Sequence, residues 1–138
     1  MTIITKKPSK PKSRVFIKET YIQQAFLQWL RLQHPEASKL AFSIPNGGKR
    51  DGRYGNRLKR EGMKKGALDL GIFKPKNGYH GLFIEFKSAK GRLTQEQAEI
   101  AKLLDKEGYC VRVCYSVDEA IGIAKEYLRD AKRDEIRF

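Results

Sequence analysis

The runs ALDLGIFK and LFIEFK each set charge into an otherwise apolar stretch: Asp69 in the first, Glu85 and Lys87 in the second. In a strand, side chains alternate between faces, so Glu85 and Lys87 point the same way. Their neighbours are Leu82, Phe83, Ile84 and Phe86, and buried charge is costly unless it pairs or holds a metal. A lone Glu-Phe-Lys is read most simply as an ion pair on a half-solvated strand. Asp69 reverses that reading, because two carboxylates from neighbouring strands can meet at one end of a sheet. Hard cations such as Mg²⁺ take one or two carboxylates together with a substrate phosphate. A cation held there polarises a phosphodiester and lowers the pKa of a bound water. The Lys87 ammonium would keep the acids ionised and orient the water or offset charge on a pentavalent phosphorane. The chemistry that fits is phosphodiester hydrolysis.

Two further residues carry open alternatives. Glu19 shares a helical face with Ile22, Gln23, Phe26 and Leu30, the inward side. It is either a third carboxylate or a residue flanking a Thr20/Gln23 capping box. Gln97 lies with Leu93, Ile100 and Leu104, yet Thr94-x-x-Gln97 is also a capping box, and the spacing favours the cap.

The 138 residues suit one domain. Lys and Arg number 29 against 16 acids, a net charge of +13. Residues 1–18 carry +6 of this and residues 47–66 another +6, so the remainder is nearly neutral. Such patchiness suits a polyanion, and Lys or Arg contacts to phosphate supply most nonspecific nucleic-acid affinity. The turn Asn46-Gly47-Gly48 can offer N–H groups to a phosphate, although most such turns are only turns. Lys49, Arg50, Arg53, Arg57, Lys59, Lys64 and Lys65 follow as candidate backbone contacts; a solvated charged loop is the alternative. No Walker-type phosphate loop is present.

No apolar run is long enough to span a bilayer, and no apolar segment follows the basic N-terminus as in a secretory signal. Cys110 and Cys114 share a strand face but lie too far apart for a disulfide, and with His34 and His80 isolated no zinc pattern arises. They read as core cysteines of a soluble, cytoplasmic protein.

Residues 1–15 are expected to be a flexible basic arm and 16–138 the domain. Apolar periodicity predicts a helix over 18–33 ended by Pro35, a short strand near Ala41–Ile44, and a short helix around Leu58. Strands at 67–74 and 80–87 are joined through Pro75-Lys76-Asn77-Gly78 as a hairpin. A helix over 94–106 stopped by Gly108, a strand over 109–115, and a last helix opened by a Ser116/Glu119 capping box complete the order. The helix between the strands at 80–87 and 109–115 is a crossover that sets them parallel. The expected class is α/β, a mixed central sheet flanked by helices.

The ordered motifs Glu19-x-x-x-Gln23, Ile44-Pro45-Asn46-Gly47-Gly48, Leu58-Lys59-x-x-Gly62, Gly66-x-x-Asp69-Leu70, Gly81 through Lys87, Gly91-Arg92-Leu93-Thr94-x-x-Gln97 and Gly108-Tyr109 resemble the virus-type replication–repair nuclease (VRR-NUC) family. That family is a branch of the PD-(D/E)xK nucleases with a restriction-endonuclease-like fold, and the resemblance spans about Glu19 to Ala120. It implies Asp69 and Glu85 as metal-holding acids for Mg²⁺ or Mn²⁺, Lys87 as the catalytic lysine, and Glu19 as the helix-borne acid. It further implies Gln23 and Gln97 as polar residues beside the site, and the Phe86 carbonyl as another metal ligand. Leu68 stands where the family usually has proline, a change in strand shape and not in chemistry. Small stand-alone members resemble phage-encoded homodimers acting on branched DNA, including four-way (Holliday) junctions. Two sites related by a two-fold axis suit a symmetric junction; the apolar residues of the last helix are the expected dimer surface.

The expected function is therefore a metal-dependent, structure-selective endodeoxyribonuclease. Alternatives are a nuclease of the same fold acting on flaps, nicks or duplex DNA, and a noncatalytic nucleic-acid-binding module.

Overall fold

Ile22, Phe26 and Leu30, spaced four apart, are all buried and form one stripe of helix α1, Lys12–Gln33. A stripe of this spacing is what turns a helix toward a core. The computed structural model describes residues 12–45 and 52–130, with side chains from 19 to 45 and from 53 to 130. Helix α1 begins at Lys12, earlier than the expected residue 18 and inside the stretch expected to be an arm; residues 1–11 lie outside the described residues. Thr20 is therefore mid-helix and caps nothing, which removes the capping alternative for Glu19. Pro35 does not simply follow the helix. It opens a second short one, α2 at Pro35–Lys39, in the first turn, where a missing N–H costs nothing.

Four strands follow: β1 (Ala41–Ser43), β2 (Leu70–Ile72), β3 (Leu82–Phe86) and β4 (Cys110–Cys114). They lie in the order β1-β2-β3-β4, antiparallel across the first two pairings and parallel between β3 and β4. The parallel pair is bridged by helix α4, Gln95–Lys106, as the crossover rule requires. Helix α3 covers Gly52–Arg60 and α5 covers Val117–Leu128. At the hairpin turn Asn77 and Gly78 both have positive φ, 52° and 85°, the backbone that an Asn-Gly primed turn demands. The Asn77 amide also donates to the Tyr127 carbonyl at 2.9 Å, tying the turn to the end of α5.

The two sheet faces differ in kind. Leu70, Ile72, Leu82, Ile84, Phe86, Cys110 and Cys114 point to one side and make the core with α1 and α5. Phe26 packs on Phe86 with ring centroids 5.9 Å apart. Both cysteines are free and buried, and burial pushes the Cys114 thiol up to about 12, so it is inert. The other face carries Phe83 and Glu85 on β3, with α4 packed against β4.

Two expectations are corrected by this packing. Ala120, Ala124, Tyr127 and Leu128 of α5 are buried within the core, so these residues of the last helix offer no dimer surface, and Val117, Ile121 and Ile123 are partly buried against the same core. The Ser116 hydroxyl accepts from Glu119 N as expected, but the Glu119 carboxylate turns to Tyr115 N at 3.4 Å, completing only half a capping box. No helix among the described residues is long and apolar enough to cross a membrane.

Phe26 fastens α1 to β3, so Phe26→Ala is expected to cost about 3–5 kcal/mol, read as a lowered urea midpoint. An unchanged midpoint would show that α1 is held by other contacts.

Candidate active site

Asp69 lies one residue before β2 and not within a strand over 67–74 as expected. The reason is local. Its carboxylate accepts from the Phe86 N–H at 2.9 Å, a donor that a longer ladder would give to a carbonyl, while its own carbonyl accepts from Ile44 N. The pairing Leu70↔Ile84, continued by one step, sets Asp69 opposite Glu85. A strand residue's N–H and C=O leave on the same edge, so the Phe86 carbonyl also faces Asp69.

Glu85 is the one acid in the buried set, at 2% exposure, and Gln97 is the other buried polar residue. Both Glu85 oxygens lie 3.2 Å from the Gln97 Nε2. The Gln97 Oε1 accepts from Thr94 N while Gln97 N donates to the Thr94 hydroxyl. The two alternatives for Gln97 are thus both realised: one end of the amide caps α4 and the other grips Glu85. That double use fixes the side chain's orientation, since flipping the amide would break both bonds.

Burial drives the Glu85 carboxyl up from 4.5 to about 9, aided by the hydrogen bond its protonated form donates to Asp69 and by the Asp69 charge. Lys87 pulls it back down and Glu19 adds to the rise. All four charged groups therefore act on one point at the end of β3. Glu19 reaches there from α1, on the opposite side of the sheet, and accepts from Ser88 N at 3.0 Å. Lys87 follows β3 directly and makes no ion pair among the described residues. Its stem is packed by Gly91: a Cβ there would sit 3.1 Å from the Lys87 Cβ and 3.3 Å from its Cδ, so a side chain would displace the lysine. That role, and the clamping of both acids by main-chain N–H groups, escaped the sequence reading; the only sign of the first was a glycine four residues after the lysine.

Asp69, Glu85, Lys87, Glu19 and Gln97 are thus brought together. Gln23 is half-buried on α1. Of the basic candidates, Arg53, Arg57 and Lys59 lie on α3. Arg57 pairs with Glu61 at 2.9 Å, and Lys65 with Glu96 at 3.4 Å. Lys59 and Lys64 are exposed. Asn46, Lys49 and Arg50 lie outside the described residues.

The donors fit a hard divalent cation. Two carboxylates face each other largely out of water, and a cation between them would offset the repulsion of their ionised forms. Among the described residues no three of His, Cys, Asp and Glu gather tightly enough for an all-protein cage. Asp69 and Glu85 match the one or two carboxylates through which Mg²⁺ is ordinarily held, with waters and substrate phosphate completing its shell.

Because the folded state raises the Glu85 pKa, it holds a proton that the unfolded chain surrenders near 4.5. The resulting stability is present below that value and lost as pH climbs toward about 9. In EDTA the melting temperature is expected to fall between pH 5 and 9, and Glu85→Gln to flatten the decline. Equal slopes in both proteins would contradict this.

A family model for the VRR-NUC domain matches residues 12–118. A solved structure described as a VRR_NUC domain protein is 29% identical, with a TM-score of 0.69, covering 80% of this chain and 88% of that one. No curated protein matches the chain. The match runs from the first turn of α1 into α5 and takes in every residue of the acidic cluster, so the chain belongs to the VRR-NUC family of nucleases.

Proposed function

We propose that the protein is a Mg²⁺- or Mn²⁺-dependent endodeoxyribonuclease selective for DNA structure, with four-way junctions as its foremost substrate. The observation that carries the catalytic part is the buried Glu85 set against Asp69 under the charge of Lys87. Asp69 and Glu85 would hold the cation, with the Phe86 carbonyl and Glu19 as further oxygen donors. When bound, the cation supplies Lewis-acid polarisation of a phosphodiester and lowers the pKa of a water.

The chain's own residues do the rest. The Phe86 and Ser88 N–H groups hold the Asp69 and Glu19 carboxylates in place, so neither acid must reorganise when charge develops. Gln97, locked by the α4 cap, keeps the Glu85 oxygens facing the site. The Lys87 ammonium, steadied by the tight turn at Gly91, is free to orient the attacking water and to offset negative charge on the phosphorane. Arg53, Lys59 and Lys64 are suited to hold the DNA backbone through phosphate contacts.

Selectivity for branched DNA rests on the family resemblance. We propose a homodimer as the acting form, since paired sites match the paired strands of a junction. Flaps, nicks and plain duplex are the competing substrates, and a noncatalytic binder would show no dependence on divalent ions.

Glu85→Ala and Lys87→Ala are each expected to abolish cleavage, by at least about a hundredfold, while DNA affinity in EDTA changes little. The assay is a matched panel of linear, nicked, flap and four-way substrates with and without Mg²⁺. Full cleavage by either variant, or by wild type in excess EDTA, would refute the mechanism; equal rates on linear and four-way DNA would refute the junction preference.

A further inference from the structure

Phe42 and Phe73 are 55% and 44% exposed, an unusual burden at the edge of a sheet, where bare apolar surface invites aggregation. They are not loosely held. Phe42 meets Phe73 edge-on at 5.8 Å, Phe73 meets Phe83 at 5.7 Å, and Phe83 meets Tyr109 at 5.4 Å. A row of rings thus crosses the sheet from β1 toward β4, anchored on the buried Phe83. Gly71 makes room for it: a Cβ there would lie 2.9 Å from Phe73 and 3.1 Å from Phe83.

This row lies on the catalytic face. The register pairs Phe42 with Gly71 and Gly71 with Phe83, so these residues share the side that carries Glu85. Ile44, two residues beyond Phe42, donates its N–H to the Asp69 carbonyl. At about 3.4 Å per residue, Phe42 stands roughly 7 Å along the strand from the acid end, a span that one unstacked nucleotide can bridge. Base faces stack on exposed aromatic rings regardless of sequence. A second copy of the chain is the other occupant to weigh, but seated here it would cover the face on which the acids must meet DNA, so a subunit interface belongs elsewhere; the +13 net charge favours DNA, which brings the opposite sign.

We propose that Phe42 and Phe73 form a stacking shelf for an unpaired nucleobase of the strand being cut, next to the scissile phosphate. The inference rests on the nuclease reading and deepens it. The shelf selects DNA whose bases are already unstacked near the cut, as at branch points and strand ends, because a paired base would have to leave its helix to reach the rings.

The test couples ring to base in EDTA, where binding is read without cleavage. Wild type, the Phe42→Ala/Phe73→Ala double variant and Phe42→Trp are titrated with fluorescent DNA bearing a short unpaired stretch, and with the same DNA made abasic there. Wild type is expected to lose about tenfold or more in affinity on base removal. The double variant should bind both DNAs equally and weakly, and Phe42→Trp should behave as wild type. Near-ultraviolet and far-ultraviolet circular dichroism establish that each variant is folded. Equal loss on base removal in wild type and the double variant overturns the shelf. So does a change from dimer to monomer in the double variant with the base effect intact, which would make the rings a subunit interface. Absence of Mg²⁺-dependent cleavage by wild type would sink the nuclease reading separately, leaving the base coupling still measurable.

Discussion

Glu85 lies almost wholly out of water with Asp69 opposite it, so the folded chain must either keep a proton between them or bring in positive charge. An uncompensated pair of buried carboxylates would cost more than a small domain can spare. The surrounding structure answers in several ways at once. The Gln97 amide supplies donors to Glu85, the Phe86 N–H binds Asp69, and the Lys87 ammonium lowers the energy of the ionised form. None of these offsets the burial of Glu85 and the charge of Asp69 entirely, which is why the Glu85 carboxyl is raised to about 9. Incomplete compensation is the physical ground on which a cation is proposed there.

The sheet makes this arrangement affordable by separating its two sides. One face buries aliphatic and aromatic residues under α1 and α5 and carries the stability of the domain. The other holds the charges and the aromatic row. Glu19 crosses between them, borne by a core-facing helix yet reaching Ser88 past the end of β3. Its position therefore depends on Phe26 and Leu30 seating α1 correctly, and a packing fault there would be felt at the acids. The end of the ladder is the natural place for the cluster, since main-chain N–H groups that lack a strand partner are free to bind carboxylates.

Lys87 is the basic residue of this centre; the other basic candidates among the described residues lie on or just after α3. Helix α3 carries Arg53, Arg57 and Lys59, while Arg57 and Lys65 are partly neutralised by acidic neighbours. Exposed ion pairs of this kind contribute little to stability, so they yield readily to phosphate. A diffuse positive field of this kind draws a polyanion in.

Much was legible from the residues alone. Periodicity located α1, α4 and α5, the Asn-Gly turn announced the β2–β3 hairpin, and the length of the segment after β3 set β4 parallel. Asp69, Glu85 and Lys87 stood out because charge inside an apolar run needs a reason. Local signals have that power where one residue's chemistry conflicts with its immediate neighbours, or where backbone conformation is restricted at a single position. The sequence could not decide between the cap and the Glu85 contact for Gln97, or between cap and carboxylate for Glu19, since each choice turns on a partner far away in the chain. It also could not show that Phe42, Phe73 and Phe83 line up across three segments. Those outcomes belong to the tertiary structure, because only the register of the strands and the seating of the helices bring distant side chains within the few ångströms over which hydrogen bonds and ring contacts act.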